Sequence, residues 1–327
     1  MAKFYYRSDV DPEVILGRSV AVLGYGNQGR AQALNLRDQG VAVTVGARMG
    51  NGRETALKDG FDAADLEAAA AVSDVVMMTL PDESMAEVYR AHIEPSIKPG
   101  KTLMVCHGFA FNFGFIHAPS GVDVCMVAPK GSGASLRGAY EAGLGLAGLV
   151  AVHQDASGEA LSVALSYAWG IGCARSVIME TTFKEECETD LFGEQAVLCG
   201  GIPELIKAAF ETLVEAGYSP EAAYFECMHE AKLITDLMYE RGLSGMREAI
   251  SDTAEWGGYQ AGKRIVDDGV RKRMKKVLDE VQSGKFAKGW VGEAEGGKKT
   301  LHQLREEESR LAIEEVGKTL RDAMKPR

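Results

Sequence analysis

The sequence predicts an α/β domain with a Rossmann-like, doubly wound parallel sheet, followed by an all-α domain. Up to about residue 181, short β-branched runs alternate with helical stretches, which is typical of a parallel sheet covered by helices on both faces. From residue 183 onward the strand signals vanish and apolar residues recur at helical spacing. We therefore expect two domains, a Rossmann-like α/β domain of residues 1–181 and a helical domain of residues 182–327.

The individual elements follow from local patterns. Runs rich in Val, Ile and Thr predict strands at residues 19–23, 41–45, 74–80, 102–106, 123–128, 149–152 and 174–179. The clearest helices between them cover residues 28–39 and 157–169. In the second half, segments such as IPELIKAAFETLVEAG predict amphipathic helices. We interpret the basic stretch RKRMKKVLDE as a solvated helix face rather than a surface for nucleic acid.

Length and composition restrict the classes of function. With 327 residues, 46% of them hydrophobic and 25% charged, the chain can form two domains with cores of their own. Its net charge of -11 argues against nucleic acid or an anionic membrane as the main partner. The first residues lack the apolar core of a signal peptide, and no apolar run could span a bilayer. Six scattered cysteines without a CxxC pair then indicate a cytoplasmic protein with reduced thiols.

A glycine-rich turn follows the first central strand. Gly24, Gly26 and Gly29 form a GxGxxG motif directly after residues 19–23 and at the start of a helix, with a second strand following. Glycines at these positions allow a tight turn, close approach of a pyrophosphate and close helix–strand packing, while the helix N-terminus presents free amides. In this complete βαβ context, the motif predicts a dinucleotide site rather than a merely structural turn.

The loop after the second strand bears on the choice between NADPH and NADH. Arg48 stands where an acid would bind the ribose of NAD, and Asn51 and Arg53 follow in a polar loop. A guanidinium suits a 2′-phosphate, so this loop favours NADPH, although Glu54 would repel a phosphate. NADH stays open, as does the alternative that these residues form only a solvated loop.

Three polar side chains follow strands of the predicted sheet and should meet at its carboxyl edge, where ligands of open parallel sheets bind. They are Asp82, His107 and Lys130. Asp82 fits a place near the cofactor and, equally well, a helix N-cap. His107 and Lys130 each fit a structural role when taken alone. Because both should face one crevice, we regard them as candidates for catalysis.

Two pairs of acids point to a metal site. Asp190 and Glu194 lie four residues apart in a predicted helix whose neighbours suggest burial, and Glu226 and Glu230 repeat this spacing. Like charges one turn apart repel each other, and buried carboxylates are costly unless their charge is compensated. Oxygen ligands without imidazole or thiolate suit Mg²⁺ or Mn²⁺. The pairs therefore predict two divalent ions, with two half-exposed, solvated pairs as the alternative.

Together these motifs resemble those of the ketol-acid reductoisomerases. The resemblance covers nearly the whole chain in order and is carried by GYGNQGRAQALNLRDQG, CHGF, VAPKGSG, DLFGEQ, FECMHE and SDTAEWG. It implies an enzyme of valine and isoleucine biosynthesis. Such an enzyme uses Mg²⁺ to move an alkyl group in 2-acetolactate or 2-aceto-2-hydroxybutyrate and reduces the product with NADPH to a 2,3-dihydroxy acid. The length matches the short form (class I) of the family, in which the helical domain is knotted.

The resemblance also implies a metal site shared by two chains. Asp190 would bridge two Mg²⁺ ions and Glu194 would complete one of the two sites. Glu226 and Glu230 would come from the partner chain of a homodimer, together with Ser251, which would bind the substrate carboxylate. Further assembly, for example to a dodecamer, is left open.

The remaining roles implied by the resemblance concern catalysis and the cofactor. His107, Lys130 and Glu230 would act in proton handling and charge stabilisation. The residues expected at the cofactor are Gly24, Tyr25, Gly26, Asn27, Gln28, Gly29, Arg48, Asn51, Arg53, Asp82 and Gly133.

Two other functions compete with this interpretation. An NADP-dependent 3-hydroxyacid or imine reductase also joins a Rossmann domain to a helical one, but it would need no cluster of four carboxylates. A non-catalytic NADP-sensing module would leave His107, Lys130 and both acid pairs without a joint purpose. Metal-dependent turnover would separate the reductoisomerase from both alternatives.

Overall fold

The structure is a computed structural model that describes residues 2–325. The chain divides into two compact units, with the boundary between Thr189 and Asp190. The strands of the first unit are β1 (Phe4–Tyr5), β2 (Ser19–Leu23), β3 (Ala42–Gly46), β4 (Ala63–Ala64), β5 (Val75–Met78), β6 (Thr102–Val105), β7 (Asp123–Pro129), β8 (Gly148–Gln154) and β9 (Ile178–Glu180).

Helices alternate with these strands, as the sequence predicts. They are α1 (Glu13–Leu16), α2 (Asn27–Asp38), α3 (Asn51–Lys58), α4 (Leu66–Val72), α5 (Asp82–Val88), α6 (Phe109–Asn112), α7 (Gly133–Glu141), α8 (Ala160–Gly170) and α9 (Phe183–Gly193). Helix α9 carries the boundary between the two units.

The strands form one mixed sheet in the order β1-β9-β8-β7-β6-β5-β2-β3-β4. The strands from β2 to β7 pair in parallel, which confirms the predicted fold class, but β8 runs antiparallel to β7 and β1 antiparallel to β9. The expected all-parallel pairing fails at β8 because of the way in which the connection from β7 meets the sheet. Pro129 pairs with Gly148, and the amide of Lys130 donates to the carbonyl of Ala147 at 2.8 Å. The connection through α7 therefore leaves and re-enters the sheet at the same end, so that β8 must run back.

One predicted strand differs from the observed one. Residues 173–175 form a 3₁₀ turn instead of a strand, and β9 begins only at Ile178. The turn is held by Arg175, whose Nη1 donates to the carbonyl of Tyr140 at 2.9 Å and whose guanidinium lies 4.1 Å from the centre of that ring. The contact between Arg175 and Tyr140 joins residues that lie far apart in the sequence. Local β-propensity therefore cannot predict it.

The sheet has an apolar core on each face. Val20 and Val22 contribute to one core, whereas Ala21 and Leu23 contribute to the other, and all four are fully buried. Neighbouring residues of a strand point to opposite faces, so a strand buried on both faces has no polar positions. This accounts for the continuous apolar runs in the sequence.

The second unit is helical. It contains a π-helical segment (Glu194–Leu198), α10 (Gly201–Glu215), α11 (Pro220–Tyr224), a second π-helical segment (Phe225–His229), α12 (Glu230–Glu248), α13 (Asp252–Ile265), α14 (Asp268–Gln282), α15 (Lys285–Glu295), α16 (Lys299–Ser309) and α17 (Ala312–Ala323). Phe210, Tyr224 and Ile313 belong to its small buried cluster. Among residues 2–325, no helix combines the length and the apolar character that crossing a membrane requires.

Candidate active site

The glycine turn has the geometry of a dinucleotide cradle. Gly24 has a φ of +97°, and a Cβ atom there would lie 2.7 Å from the carbonyl oxygen of Thr79. A Cβ at Gly29 would lie 2.1 Å from the carbonyl oxygen of Gly24, so this glycine is needed for close packing of α2. A Cβ at Gly26 would meet nothing within 4 Å, because this glycine faces open space. The three positions thus match the turn, the close packing and the open approach to a pyrophosphate that a dinucleotide requires.

A cavity of about 660 Å³ opens at this turn. Many of the predicted cofactor residues line it, namely Gly24, Tyr25, Gly26, Asn27, Gln28, Arg48 and Asn51. Its position beyond the carboxyl ends of β2, β3 and β5 is where ligands of doubly wound sheets bind. The cavity and the glycine turn therefore fit a dinucleotide.

Tyr25 is fixed in this cavity by a polar network. Its hydroxyl donates to Asp59 Oδ2 at 2.9 Å, and Arg30 Nε donates to the same oxygen at 2.6 Å. The hydrogen bond with Arg30 dominates over burial and keeps the pKa of Asp59 below its usual value, and burial raises the pKa of Tyr25. The network presents Tyr25 as a neutral phenol with a fixed ring at the cofactor cavity.

Gly133 belongs to a second segment that closes on the glycine turn. A Cβ at Gly133 would lie 1.9 Å from the carbonyl oxygen of Asn27, and Gln28 Nε2 donates to the carbonyl of Gly131 at 2.9 Å. The loop after β7 is therefore seated directly on the loop after β2. Gly133 does not line the 660 Å³ cavity itself, but it sets the position of Asn27 and Gln28, which do.

This close approach makes Gly133 intolerant of a side chain. Gly133→Ala should lower the affinity for NADPH at least about tenfold, because a 1.9 Å contact with backbone forces the two loops apart. Gly138→Ala is the matched control in the same helix, since a Cβ there meets nothing within 4 Å. Fluorescence titration with NADPH measures both variants, and equal affinities would contradict this account of the contact.

Arg53 and Asp82 lie elsewhere than the other predicted cofactor residues. Arg53 does not line the large cavity, and its Nη1 donates to Asp65 Oδ1 at 2.6 Å while Nη2 donates to the carbonyl of Ala63 at 3.0 Å. Asp82 is the first residue of α5, and the preceding Pro81 occupies the N-cap position. It lines a cavity of about 150 Å³ together with Gln28 and His107.

The catalytic candidates meet at a buried carboxylate. His107 Nδ1 lies 3.0 Å from Glu186 Oε2, and Lys130 Nζ lies 2.9 Å from Glu186 Oε1. The amide of Gly108 also donates to Glu186 Oε2 at 3.3 Å. Because Glu186 is only 1% exposed, its charge must be compensated by these donors. One carboxylate of α9 therefore holds both predicted catalytic side chains.

The same contacts set the charges of this cluster. Burial alone would lower the pKa of His107, but its contacts with Cys187 and Glu186 raise that pKa to about 11. Burial alone would raise the pKa of Glu186, but His107 and Lys130 hold it below its usual value. Burial also raises the pKa of Cys187, which is therefore a neutral thiol at pH 7. The carboxylate of Glu186 is then the charge that keeps a proton on His107.

Sequence reasoning missed Glu186. It lies one turn before Asp190 on α9, so Glu186, Asp190 and Glu194 form a run of acids spaced by four residues. This run of three acids is the signal in the sequence that points to Glu186.

The acid pairs lie at π-helical turns, contrary to the expected regular helix. The amide of Cys199 donates to the carbonyl of Glu194 at 2.8 Å, and the amide of Glu230 donates to the carbonyl of Phe225, both with the five-residue spacing of a π-helix. Single π-helical turns inside helices occur frequently at functional sites. Glu194 and Glu226 lie in these segments and Glu230 caps the second one, which supports a functional use of these residues.

The expectation that these acids are buried is wrong for the isolated chain. Asp190 is half-buried, while Glu194, Glu226 and Glu230 are exposed. The reason is that their apolar neighbours are exposed too, for example Leu198 at 61%. Helical spacing identified an apolar face correctly, but it does not tell whether the same chain covers that face.

Ser251 is the N-cap of α13. Its Oγ accepts a hydrogen bond from the amide of Ala254 at 3.2 Å, and the residue is exposed. A serine at this position stabilises the helix whether or not it binds a ligand.

Comparison with known proteins decides the family. Residues 14–177 match the family model of the acetohydroxy acid isomeroreductase NADPH-binding domain, and residues 183–326 match that of the ketol-acid reductoisomerase C-terminal domain. An NADH-preferring ketol-acid reductoisomerase from an uncultured archaeon is 44% identical over 99% of this chain and 100% of its own, with a TM-score of 0.96. The chain belongs to the ketol-acid reductoisomerase family.

More distant matches share the fold alone. A semialdehyde dehydrogenase NAD-binding protein from Cupriavidus necator is 18% identical over 81% of this chain and 99% of its own, with a TM-score of 0.63. A pyrroline carboxylate reductase from Plasmodium falciparum is 12% identical over 82% of this chain and 98% of its own, with a TM-score of 0.51. These similarities do not favour the alternative of an imine reductase.

Membership of the ketol-acid reductoisomerase family establishes the class of reaction. The chain is an enzyme, an oxidoreductase with an isomerase step, that uses NAD(P)H and Mg²⁺ in branched-chain amino acid biosynthesis. The carboxylates of the DLFGEQ and FECMHE segments have the oxygen chemistry that Mg²⁺ prefers.

Proposed function

We propose that the chain converts 2-acetolactate or 2-aceto-2-hydroxybutyrate by alkyl migration and then reduces the product to the 2,3-dihydroxy acid. The observation that carries this proposal is the cluster of His107, Lys130 and Glu186, which stands at the carboxyl edge of a sheet whose glycine turn fits a dinucleotide. Proton handling for the migration and a site for the hydride donor are both required by this reaction.

The proposed metal ligands are carboxylates of the second unit. Asp190 and Glu194 would hold Mg²⁺ together with Glu226 and Glu230 of the partner subunit. Four carboxylates suit two hard divalent cations. When bound, Mg²⁺ supplies polarisation of the substrate carbonyl and stabilisation of developing negative charge on oxygen. Glu230 would also contribute to catalysis, and Ser251 of the partner subunit would bind the substrate carboxylate.

The cluster around Glu186 would serve the proton transfers. With Nδ1 of His107 facing Glu186, the imidazole ring is held in one orientation. Its Nε2, which lies 3.9 Å from Sγ of Cys187, would be the atom that exchanges a proton with substrate. Lys130, whose Nζ is bound to the other oxygen of Glu186, would offset negative charge that develops on the substrate. Glu186 itself acts as a positioning residue, since it touches both groups.

We propose a homodimer, supported by the exposed apolar face of the second unit. The exposed large side chains next to the proposed metal ligands are Val197, Leu198, Phe225 and Met228. Apolar patches of this kind on a soluble protein mark an interaction surface. A second copy is the occupant that would also bring Glu226 and Glu230 to the ligands of the first chain. Reduced cysteines fit a cytoplasmic location.

The proposed cofactor is NADPH, with NADH also accepted. Arg48 lines the cofactor cavity and can bind a 2′-phosphate, whereas Arg53 is held by Asp65. The relative with 44% identity is described as NADH-preferring, and this supports use of both dinucleotides.

A turnover assay with metal control tests the proposed reaction. Oxidation of NADPH with 2-acetolactate should require Mg²⁺, stop with excess EDTA and resume with excess Mg²⁺, because polarisation of the substrate depends on the metal. NADPH binding, followed by fluorescence, should be unaffected by EDTA. Turnover that survives chelation would contradict the metal-dependent step, and intact binding without any turnover would favour a sensor.

A further inference from the structure

A second cavity adjoins the cofactor cavity at its cationic end. It has a volume of about 350 Å³ and is lined by Arg48, Met49, Asp65, Leu66, Glu67 and His92. Arg48, Met49 and Leu66 also line the 660 Å³ cavity, so the two cavities are direct neighbours. Asp65 and Glu67 therefore bring carboxylates close to the loop that would meet the adenosine ribose.

Arg53 lies directly behind this loop and is engaged by Asp65. The 2.6 Å ion pair joins Arg53 Nη1 to Asp65 Oδ1, and Nη2 is used by the carbonyl of Ala63. The same Nη1 is 3.5 Å from Sδ of Met49, a side chain that is 83% exposed and lines both cavities. The guanidinium thus contacts a side chain that lines the cofactor cavity, but its two terminal nitrogens donate to Asp65 and to the carbonyl of Ala63.

We propose that Asp65 is a specificity-determining residue that withholds Arg53 from the 2′-phosphate and so weakens the preference for NADPH over NADH. The inference rests on the proposed use of NAD(P)H at this cavity. A 2′-phosphate must compete with Asp65 for the guanidinium of Arg53, whereas the neutral 2′-hydroxyl of NADH does not need this guanidinium as a partner. The ion pair therefore costs affinity for NADPH alone.

The ion pair between Asp65 and Arg53 is weak enough for a 2′-phosphate to compete with it. The side chain of Asp65 is 77% exposed and that of Arg53 is 23% exposed, so the pair is partly screened by water. Asp65 is the N-cap residue of α4 but makes no capping hydrogen bond with its side chain, so the fold does not need its carboxylate there. Substitution of Asp65 should consequently change binding rather than folding.

The test is a double-mutant cycle on Asp65 and Arg53, read by fluorescence titration with NADPH and with NADH. Asp65→Asn should tighten NADPH binding about threefold to fivefold, the effect expected from an exposed ion pair, and should leave NADH binding within about twofold. Adding Arg53→Ala to Asp65→Asn should cancel the gain. Asp62→Asn, which removes an equal charge from an exposed position three residues earlier, should change neither affinity.

Two results would overturn the inference, and a third would contradict the proposed function. Equal effects of Asp65→Asn on NADPH and NADH would show that Asp65 does not act on the 2′-phosphate. A gain that persists with Arg53→Ala would show that Asp65 acts by direct repulsion and not through Arg53. Failure of the wild-type chain to bind either dinucleotide would instead contradict the proposed function on which the inference rests.

Discussion

Replacing Glu186 by glutamine is expected to lower turnover with 2-acetolactate by at least about 100-fold, the effect typical of a lost acid–base group. The amide keeps the size of the side chain but removes the charge that holds a proton on His107 and compensates Lys130. NADPH affinity should stay within about twofold of wild type, since Glu186 does not line the cofactor cavity. Steady-state kinetics and fluorescence titration measure the two quantities separately.

Glu185→Gln provides the matched control for this prediction. Glu185 is the neighbouring residue on α9, is exposed and pairs with Thr181 at 2.7 Å, so its substitution should leave turnover within about twofold of wild type. If Glu186→Gln unfolds the chain, thermal melting will reveal it, and Glu186→Asp, which keeps the charge, should then recover part of the activity. Wild-type turnover in a folded Glu186→Gln enzyme would contradict the role of this carboxylate.

Asp190→Asn is expected to abolish Mg²⁺-dependent turnover, with a loss of at least about 1,000-fold, because the asparagine amide is a weaker ligand without charge. The variant should also lose the stabilisation that Mg²⁺ gives the wild-type enzyme. A ligand at 100 times its Kd raises the free energy of unfolding by about 2.7 kcal/mol, a shift that thermal melting with and without Mg²⁺ detects readily.

Asp236→Asn is the control for the metal experiment. Asp236 is an acid of α12 whose side chain is 49% exposed and pairs with Lys232, so its substitution should leave both turnover and the Mg²⁺-induced shift in Tm unchanged. An Asp190→Asn enzyme that keeps the wild-type dependence on Mg²⁺ would remove Asp190 from the ligand set.

The fold and the cofactor cavity could be predicted from the sequence because their signals are local. Gly24, Gly26 and Gly29 lie between two strands of one βαβ unit, and each has the steric environment that its place in the motif requires. The direction of β8 could not be predicted in this way. It depends on where the connection through α7 meets the sheet, which is a property of the tertiary structure and not of strand propensity.

In the candidate site, too, residues with a local sequence signal could be predicted and residues that depend on tertiary contacts could not. His107 and Lys130 were found because each follows a strand, whereas Glu186 was missed because its burial depends on contacts with residues 56 and 79 positions away. The sequence predicts Arg53 as a phosphate ligand in a polar loop, but residue 53 lies in α3 and pairs with Asp65, which follows that helix in the chain. The exposure of Glu194, Glu226 and Glu230 also escaped prediction, since a single sequence does not tell which chain covers an apolar face.

The most direct test of a metal site shared by two chains is a mixture of two inactive variants. Asp190→Asn and Glu226→Gln chains, unfolded and refolded together, would form mixed dimers in which one of the two sites has all of its ligands. Random pairing with two-fold symmetry then predicts recovery of about one quarter of the wild-type Mg²⁺-dependent turnover, while each variant refolded alone stays inactive. A mixture as inactive as its components, although dimeric by sedimentation, would show that the four carboxylates do not form one site across two chains.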